Sequence, residues 1–361
     1  MRLAHKPKSK LPPHYKNSDI KHMKILVASH LEQSAIRQLL QRHDVICTFD
    51  QPTADLPSLV RDREVLVFRS GVEITQALLD CATDLKLLVR AGCGLDNLDC
   101  EYVRKRGIVL RRIPEPAAQA VAEMALALMF ALARNIRQAD AMLRHGQWAK
   151  DTLEGHLLAG KVLGIVGAGN IGSRLGVLAS SVGMEPMGCI TDSTPAVVQT
   201  LRDKGITVAA FRTVLSAADF VSVHVPLNDS TRNLINGRAL SLMKKGSYLI
   251  NLARGGVVDE TALYAALATG RLCGAALDVH QHEGQGQISP LAQLPNVVLT
   301  PHIGASTVET QQQIGARVVE IVEAFVQQSE QQSVHQTMTA ARCEPDIRVT
   351  AGALSNEMVR I

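Results

Sequence analysis

Three side chains with complementary chemistry follow predicted strands in the C-terminal half of the chain. Arg254 lies in the segment NLARGG after one apolar run, and Glu283 and His302 follow the next two runs. An imidazole exchanges protons near neutral pH, a carboxylate beside it fixes its tautomer, and a guanidinium binds carboxylates or polarises a carbonyl oxygen. Singly, each residue type is more often a member of a surface ion pair. Together, at the ends of parallel strands, they predict a site that interconverts an alcohol and a ketone by hydride transfer.

A glycine-rich segment at 164–172 supplies a second chemical signal. It reads GIVGAGNIG and lies between an apolar run and a helical pattern at 173–182. Gly167 allows a sharp turn, Gly169 allows the backbone to approach a pyrophosphate, and Gly172 allows close packing of helix on strand. Because a helix N-terminus attracts anions, the segment predicts dinucleotide binding. The predicted cofactor site here comprises Gly167, Gly169, Asn170, Ile171 and Gly172.

The composition predicts a globular α/β protein of about two domains. Of the 361 residues, 46% are apolar and only 3% aromatic, so the cores must be aliphatic, as in parallel sheets. The seven cysteines are scattered without CxxC spacing, which indicates neither a disulfide framework nor a zinc site. No uninterrupted apolar run reaches the roughly 18 residues of a membrane span. We therefore expect a cytoplasmic protein with neither metal nor membrane partner.

The net charge of +4 is confined to one end of the chain. Residues 1–23 contain six basic side chains and one acidic side chain, so the remainder is close to neutral. Such a segment, with three prolines and no periodicity, is typical of a solvated, disordered arm, and we expect no nucleic-acid partner. The segment from Ser329 onward is polar with little periodicity, which predicts a loosely packed tail over 331–361.

Between these ends, strand and helix patterns alternate, which predicts parallel sheets covered by helices. An Ala/Leu/Met-rich stretch at 117–148 predicts one long helix that crosses between two domains and offers a surface to a second subunit. Strands are predicted at 24–29, 65–68, 85–90, 108–110, 162–166, 220–224, 247–251, 274–279 and 297–300.

The order of these motifs and their residues resemble the D-isomer-specific 2-hydroxyacid dehydrogenase family over residues 24–327, with phosphoglycerate dehydrogenases most similar. The resemblance is carried by the glycine segment and by residues 90–97 (RAGCGLDN), 251–259, 274–279 and 300–307. It implies that Arg254 orients the substrate and that His302 is the acid/base paired with Glu283. It also implies that backbone amides at Cys93 and Gly94 hold the substrate carboxylate.

The resemblance further implies a discontinuous architecture of two doubly wound parallel-sheet domains. A flavodoxin-like substrate domain, residues 24–119 and 303–330, would flank an inserted Rossmann domain, residues 120–302, and the protein would be a homodimer. Asp278 would contact the nicotinamide carboxamide. The remaining cofactor contacts implied are Asp192, Val225, Pro226, Leu252, Ala253, Arg254, Asp278, His302 and Gly304.

Three further arginines resemble those that phosphoglycerate dehydrogenases direct at the substrate phosphate. Arg69 and Arg90 follow predicted strands, and Arg134 lies on the long helix. Planar guanidinium groups bind phosphate oxygens in pairs, so we expect 3-phosphoglycerate and 3-phosphohydroxypyruvate as the substrate pair. The structural alternative is that Arg69 and Arg90 form ion pairs and that Arg134 caps a helix end.

Other functions stay open at this point. A glyoxylate or hydroxypyruvate reductase, or a phosphite or formate oxidoreductase, would use a similar site. An NAD(H)-sensing interaction protein of the corepressor type would keep the same fold without needing turnover.

The cofactor choice rests on residues after the second strand of the nucleotide domain. NAD-preferring relatives carry an acidic residue there, whereas this chain has Ile190, with Asp192 out of register. No Arg or Lys at 190–201 is available to pair with a 2′-phosphate, so we expect a modest preference for NAD with NADP possible. The chain also departs from the family at residues 117–120, which are alanine and glutamine where relatives often carry polar residues near the substrate, and at Gly284, where proline is usual.

Overall fold

The computed structural model describes residues 22–49 and 55–341. Within this part of the chain, two parallel sheets are each covered by helices, which confirms the predicted α/β class. The predicted basic arm lies outside the described residues apart from His22 and Met23, and so do residues 342–361 of the predicted tail.

The N-terminal half forms a five-stranded parallel sheet in the order β2-β1-β3-β4-β5. Every residue of β3 and β4 is buried, because helices cover both faces of a parallel sheet. The strand β2 is not among the predicted strands. The elements are β1 Lys24–Val27, α1 Gln33–Leu40, β2 Asp44–Cys47, α2 Leu56–Leu59, β3 Val65–Phe68, α3 Gln76–Cys81, β4 Leu87–Arg90, α4 Cys100–Lys105 and β5 Val109–Arg112.

The C-terminal half forms a seven-stranded parallel sheet in the order β12-β11-β10-β9-β6-β7-β8. The strand order reverses between β6 and β9, which is where doubly wound sheets open a ligand crevice. The elements are β6 Val162–Val166, α7 Asn170–Ser181, β7 Glu185–Cys189, α8 Pro195–Asp203, β8 Thr207–Val208, α9 Phe211–Ala217, β9 Phe220–Val223, α10 Gly237–Leu242, β10 Tyr248–Asn251, α11 Glu260–Ala268, β11 Gly274–Leu277, a 3-10 helix Pro290–Gln293 and β12 Val297–Leu299.

Two helices, not one, connect the sheets. Helix α5, Glu115–Ala133, packs on α7 and on the adjoining strands of the larger sheet, and α6 follows at Ile136–Arg144. Asn135 has a φ of 52°, a left-handed conformation that ends α5, and asparagine tolerates it better than most residues. The prediction of one continuous helix over 117–148 is therefore wrong.

Helix α5 is also the single helix in the described residues that is long and apolar enough to cross a membrane by length and composition. Its most apolar window has a mean hydropathy of 1.6 even though Gln119 and Glu123 interrupt the apolar run. Because 56% of that window is buried inside the fold, its packing is that of a core helix.

The last helix, α12 (Val308–Ala341), returns to the first sheet. Ile314, Val318 and Val322 recur at four-residue intervals and are buried in the core that α1 and the N-terminal strands form. The predicted tail is helical over residues 331–341, which continue α12. Glutamine, glutamate and alanine are adequate helix formers, and a helix that already packs over its first turns extends at little cost.

Candidate active site

A cleft of about 530 Å³ opens where the carboxyl ends of strands from both sheets face each other. Residues directly after β3, β9 and β11 line it, namely Arg69, His224 and Asp278. The carboxyl ends of parallel strands are where α/β proteins bind ligands. The cleft is lined by 13 of the 20 site residues predicted from the sequence.

His302 and Glu283 form a hydrogen-bonded pair at this cleft. The His302 Nδ1 lies 2.8 Å from Glu283 Oε2, and Glu283 Oε1 accepts a bond of 3.0 Å from the backbone N–H of His280. Burial raises the pKa of Glu283, but the bonds from His302 and His280 outweigh it, so the net shift is downward. The carboxylate therefore stays ionised and fixes Nδ1 as the protonated ring nitrogen, which leaves Nε2 to exchange a proton.

A strained backbone presents His302. Its φ is 56°, and its N–H donates to the carbonyl of Asp278 at 2.8 Å. The Asp278 carboxylate, only 1% exposed, accepts from the N–H groups of Ile303 at 2.9 Å and Gly304 at 2.7 Å. Thr300 adds a hydroxyl bond of 2.6 Å. Such a conformation persists where its surroundings fix it, so Asp278 acts as the anchor of the His302 loop, a role that sequence reasoning missed.

Arg254 spans the cleft from the larger sheet to the smaller one. Its Nε donates to Asp96 Oδ1 at 2.9 Å, and another guanidinium nitrogen donates to the Ala253 carbonyl at 2.7 Å. A Cβ at Gly94 would lie 1.7 Å from the Arg254 guanidinium, so any larger residue there would displace Arg254 from its present position. The Cys93–Gly94 backbone and Arg254 are thus in direct contact, as expected if both hold one carboxylate.

Arg90 and Arg69 point into the same cleft without forming ion pairs in the described part of the chain. Arg90 is 4% exposed, donates from Nε to the Gly94 carbonyl at 2.7 Å and lies over the Phe68 ring. Burial and the charge of Arg254 lower the pKa of Arg90 to about 10. Arg69 donates to the Gln311 side chain at 2.6 Å, and burial lowers its pKa too. Two guanidinium groups therefore face the cleft without a direct ion-pair partner among the described residues.

Two other predicted substrate residues have different surroundings. Cys93 donates its Sγ hydrogen to the Pro114 carbonyl at 3.3 Å, and burial raises the pKa of its thiol, so the side chain stays protonated. Arg134 ends α5 and does not line the cleft, whereas Ala117 near the start of that helix does. Seventeen helical residues span about 25 Å, so a single chain does not bring Arg134 to the site. Arg112, which sequence reasoning missed, does line it.

The glycine turn has the geometry that a dinucleotide requires. Gly167 has a φ of 94°, and a Cβ there would lie 2.8 Å from the His224 carbonyl oxygen. A Cβ at Gly172 would lie 2.4 Å from the Gly167 carbonyl, while the position above Gly169 is open space. No side chain caps the N-terminus of α7. The turn therefore offers free N–H groups and room for a pyrophosphate, so the residues present fit the predicted cofactor.

The remaining predicted cofactor residues divide into two groups. Asp192 lies outside the cleft and accepts a bond of 3.1 Å from the backbone N–H of Thr194, while the Ile190 side chain packs against the core. No carboxylate therefore occupies the position of Ile190. The others line the cleft beside the turn: Ile171, Val225, Pro226, Leu252, Ala253, Arg254, Asp278, His302 and Gly304.

His224 is a second cleft residue that sequence reasoning missed. Its Nε2 lies 2.8 Å from Ser222 Oγ, and its Nδ1 has no partner among the described residues. Burial lowers the pKa of His224 to about 4, so the ring is neutral at neutral pH. The signal available in the sequence was a histidine at the end of the mostly apolar run 220–224, which reads FVSVH.

Comparisons with known proteins agree with this geometry. The family model for the D-isomer specific 2-hydroxyacid dehydrogenase NAD binding domain matches residues 126–304. A hydroxypyruvate reductase of Thermotoga maritima is 37% identical over 300 residues, which cover 82% of this chain and 96% of that protein. A D-3-phosphoglycerate dehydrogenase of Methanocaldococcus jannaschii is 38% identical over 299 residues, or 82% of this chain but 56% of that protein.

The chain thus spans little more than half the length of that phosphoglycerate dehydrogenase. Among solved structures, a D-lactate dehydrogenase of Aquifex aeolicus in complex with NAD and lactic acid superposes with a TM-score of 0.75 at 28% identity, over 86% of this chain and 97% of that one. The chain therefore belongs to the D-isomer specific 2-hydroxyacid dehydrogenase family, whose members are NAD-dependent oxidoreductases.

Proposed function

We propose that the chain catalyses reversible hydride transfer between a D-2-hydroxy acid and a nicotinamide dinucleotide. The observation that carries this proposal is the His302–Glu283 pair, with its 2.8 Å hydrogen bond, at the cleft that Arg254 also lines. NAD or NADP, when bound, supplies the hydride acceptor in one direction and the donor in the other. The protein contributes binding, orientation and proton transfer.

The residues of the site have defined roles in this reaction. In oxidation, His302 Nε2 accepts the hydroxyl proton as the carbon loses its hydride, and in reduction it returns that proton to the carbonyl oxygen. The ionised Glu283 stabilises the imidazolium that forms. Arg254 and the backbone amides at Cys93–Gly94 bind the substrate carboxylate, and the guanidinium polarises the adjacent carbonyl oxygen.

The substrate pair that we favour is 3-phosphoglycerate and 3-phosphohydroxypyruvate. Arg69 and Arg90 support it because both face the cleft without a carboxylate partner in the described chain. A hydroxypyruvate or glyoxylate reductase is the second candidate. It is favoured by the match over 96% of the T. maritima hydroxypyruvate reductase, against 56% of the M. jannaschii phosphoglycerate dehydrogenase.

We further propose that two copies of the chain associate in the cytoplasm as a homodimer. Helix α6 has no buried residue, although it is strongly amphipathic. Large apolar side chains on and beyond it are exposed, with Leu143 at 59% and Trp148 at 80%. A second copy would cover this surface, since apolar patches of this kind mark protein interfaces.

The decisive experiment measures turnover by the wild type and by His302→Asn. Asparagine tolerates the φ of 56° and lacks a titratable group, so the variant should fold. We expect kcat for reduction of 2-keto acids to fall by about 10²–10⁴-fold, with the Kd of NADH unchanged. Glu283→Gln should lose less activity, because the amide can still accept a hydrogen bond from Nδ1.

Two outcomes would contradict the proposal. Near wild-type turnover by His302→Asn would remove the acid/base role. A wild type that binds NADH but reduces none of 3-phosphohydroxypyruvate, hydroxypyruvate, glyoxylate and pyruvate would favour the interaction-protein alternative.

A further inference from the structure

A fourth arginine, Arg112, lies at the end of β5 and lines the cleft. In the sheet it is the register partner of Arg90 on the neighbouring strand β4. Adjacent parallel strands lie about 4.8 Å apart, and paired residues project from the same face of the sheet. Arg112 therefore stands beside Arg90 at the rim of the cleft, while Arg90 lies buried inside it.

Arg112 differs from the other three arginines in having free donors. Within residues 22–49 and 55–341 no side chain or carbonyl accepts a hydrogen bond from its guanidinium, whereas Arg69, Arg90 and Arg254 each donate to a fixed acceptor. The acidic side chain nearest along the chain is Glu115, and it pairs with Arg174 at 3.5 Å. All five N–H groups of Arg112 are thus available to a ligand.

The cleft as a whole carries an excess of positive charge. Four guanidinium groups line it against the carboxylates of Asp96 and Asp278, a net charge of +2 that becomes +1 when the ionised Glu283 bonded to His302 is counted. Asp96 is paired with Arg254 at 2.9 Å, and Asp278 is occupied by backbone N–H groups. A carboxylate held at Arg254 would leave Arg69, Arg90 and Arg112 without an anionic partner. A phosphate monoester, with close to two negative charges at neutral pH, would supply one.

We propose that Arg112 binds a phosphate monoester at the end of the substrate opposite its carboxylate. This inference rests on the proposed function and deepens it, because it assigns the phosphate to a residue that sequence reasoning missed. The planar donors of Arg112 bind two phosphate oxygens at once, and the rim position leaves the group partly hydrated. Arg254 and the Cys93–Gly94 backbone hold the carboxylate deeper in the cleft.

The neighbouring Arg111 provides a matched control. It is exposed on the same strand, does not line the cleft and donates to the carbonyl of Leu110 at 3.2 Å. Because successive residues of a strand project to opposite faces, Arg111→Ala removes the same charge from the other side of the sheet. Arg112→Lys keeps the charge at the cleft but loses the paired donors.

The test compares 3-phosphohydroxypyruvate with hydroxypyruvate, which differ only by the phosphate. We expect Arg112→Ala to raise KM for the phosphorylated acid at least about tenfold, or 1.4 kcal/mol, and to change KM for hydroxypyruvate less than about twofold. Arg112→Lys should fall between the wild type and Arg112→Ala, and Arg111→Ala should match the wild type with both acids. Equal effects of Arg112→Ala on both substrates, or none on either, would overturn the proposal.

Calorimetric titration of the protein with 3-phosphoglycerate and with D-glycerate, in the presence of NAD, gives a readout that does not depend on turnover. Arg112→Ala should weaken binding of the phosphorylated acid alone. If the wild type reduces hydroxypyruvate but binds both hydroxy acids equally, Arg112 has no phosphate role and the proposed hydride transfer stands. If phosphate-dependent binding through Arg112 persists without any turnover, the proposed function fails and the Arg112 site stands.

Discussion

The two walls of the cleft are built in different ways. The wall from the larger sheet carries the Arg254 and His302 side chains but is shaped by backbone: the Gly167 turn, the uncapped start of α7 and the N–H groups that Asp278 binds. The wall from the smaller sheet is made of arginine side chains at the ends of β3, β4 and β5. A backbone wall changes only if the fold changes, whereas a side-chain wall changes by substitution.

This difference separates what the family shares from what one member does. The backbone wall fits a dinucleotide whatever the second ligand is, and the family model covers that half of the chain, residues 126–304. The arginine wall is where we propose that the substrate phosphate binds. Four variants, in order of decreasing expected effect, test this difference.

Asp278→Ala should damage the backbone wall most. It leaves the buried N–H of Gly304 and the part-buried N–H of Ile303 without an acceptor, at about 1–3 kcal/mol for a fully buried group, so we expect the free energy of unfolding to fall by about 2–4 kcal/mol in urea titrations. The matched change on the arginine wall, Asp96→Ala, removes a partly exposed ion pair and should cost less than about 1 kcal/mol. Similar losses from the two variants would contradict the contrast.

His224 should make the same wall sensitive to acid. Its pKa is about 4 in the folded protein against an ordinary value of 6.5, so the unfolded chain binds the proton first. The free energy of unfolding should therefore fall as the pH drops from 6.5 to 4. At about 1.4 kcal/mol per pH unit, the loss is about 3 kcal/mol.

The neutral variant His224→Gln should lose less stability than the wild type over this range, as measured by denaturant titration at several pH values. His145→Gln, at an exposed position, is the control and should follow the wild type. Parallel pH profiles for the wild type and His224→Gln would rule out this effect.

Gly172→Ala should weaken cofactor binding while leaving the arginine wall intact. The added Cβ would lie 2.4 Å from the Gly167 carbonyl, and strain of about 1–3 kcal/mol would raise the Kd of NADH roughly 5–150-fold in fluorescence titrations. Gly71→Ala is the control, because a Cβ there meets no atom within 4 Å. An unchanged Kd in Gly172→Ala would show that the turn does not hold the dinucleotide.

Ile190→Asp should have the smallest effect and shift the cofactor preference. We expect the wild type to prefer NADH modestly, and the new carboxylate to increase that preference about tenfold by binding ribose hydroxyls and repelling a 2′-phosphate. Ile190→Asn keeps the hydrogen-bonding capacity without the charge and corrects for lost packing. A wild-type preference for NADPH beyond about a hundredfold, or 2.7 kcal/mol, would contradict this interpretation.

The same contrast explains what the sequence could predict. Local signals specify the backbone wall, since glycine spacing and apolar runs define strand, turn and helix without distant information. Arg254, Glu283 and His302 each follow a predicted strand, so their convergence follows from the geometry of a parallel sheet. Whether Arg112 or Arg134 meets the cleft depends on strand register and on where a helix ends, and neither can be read from local patterns.

The missed elements have similar causes. Pro186 argues against a central strand, yet β7 contains it because β8 begins opposite Met187, so Pro186 has a partner strand only on the β6 side. The break after α5 depends on Asn135 adopting a left-handed conformation with no glycine or proline as a signal. Packing of α12 on the first sheet decides that the polar segment to Ala341 is helical.

The excess of positive charge in the cleft also bears on how quickly ligands arrive. An anion within a Debye length, about 8–10 Å at physiological ionic strength, is drawn toward the opening before any contact forms. Association rates for anionic substrates should therefore decline as salt is added, while dissociation changes little. Phosphate and sulfate ions from a buffer would be attracted to the same cleft and would compete with the substrate. Affinities measured in such buffers would therefore be lower than those measured without these anions.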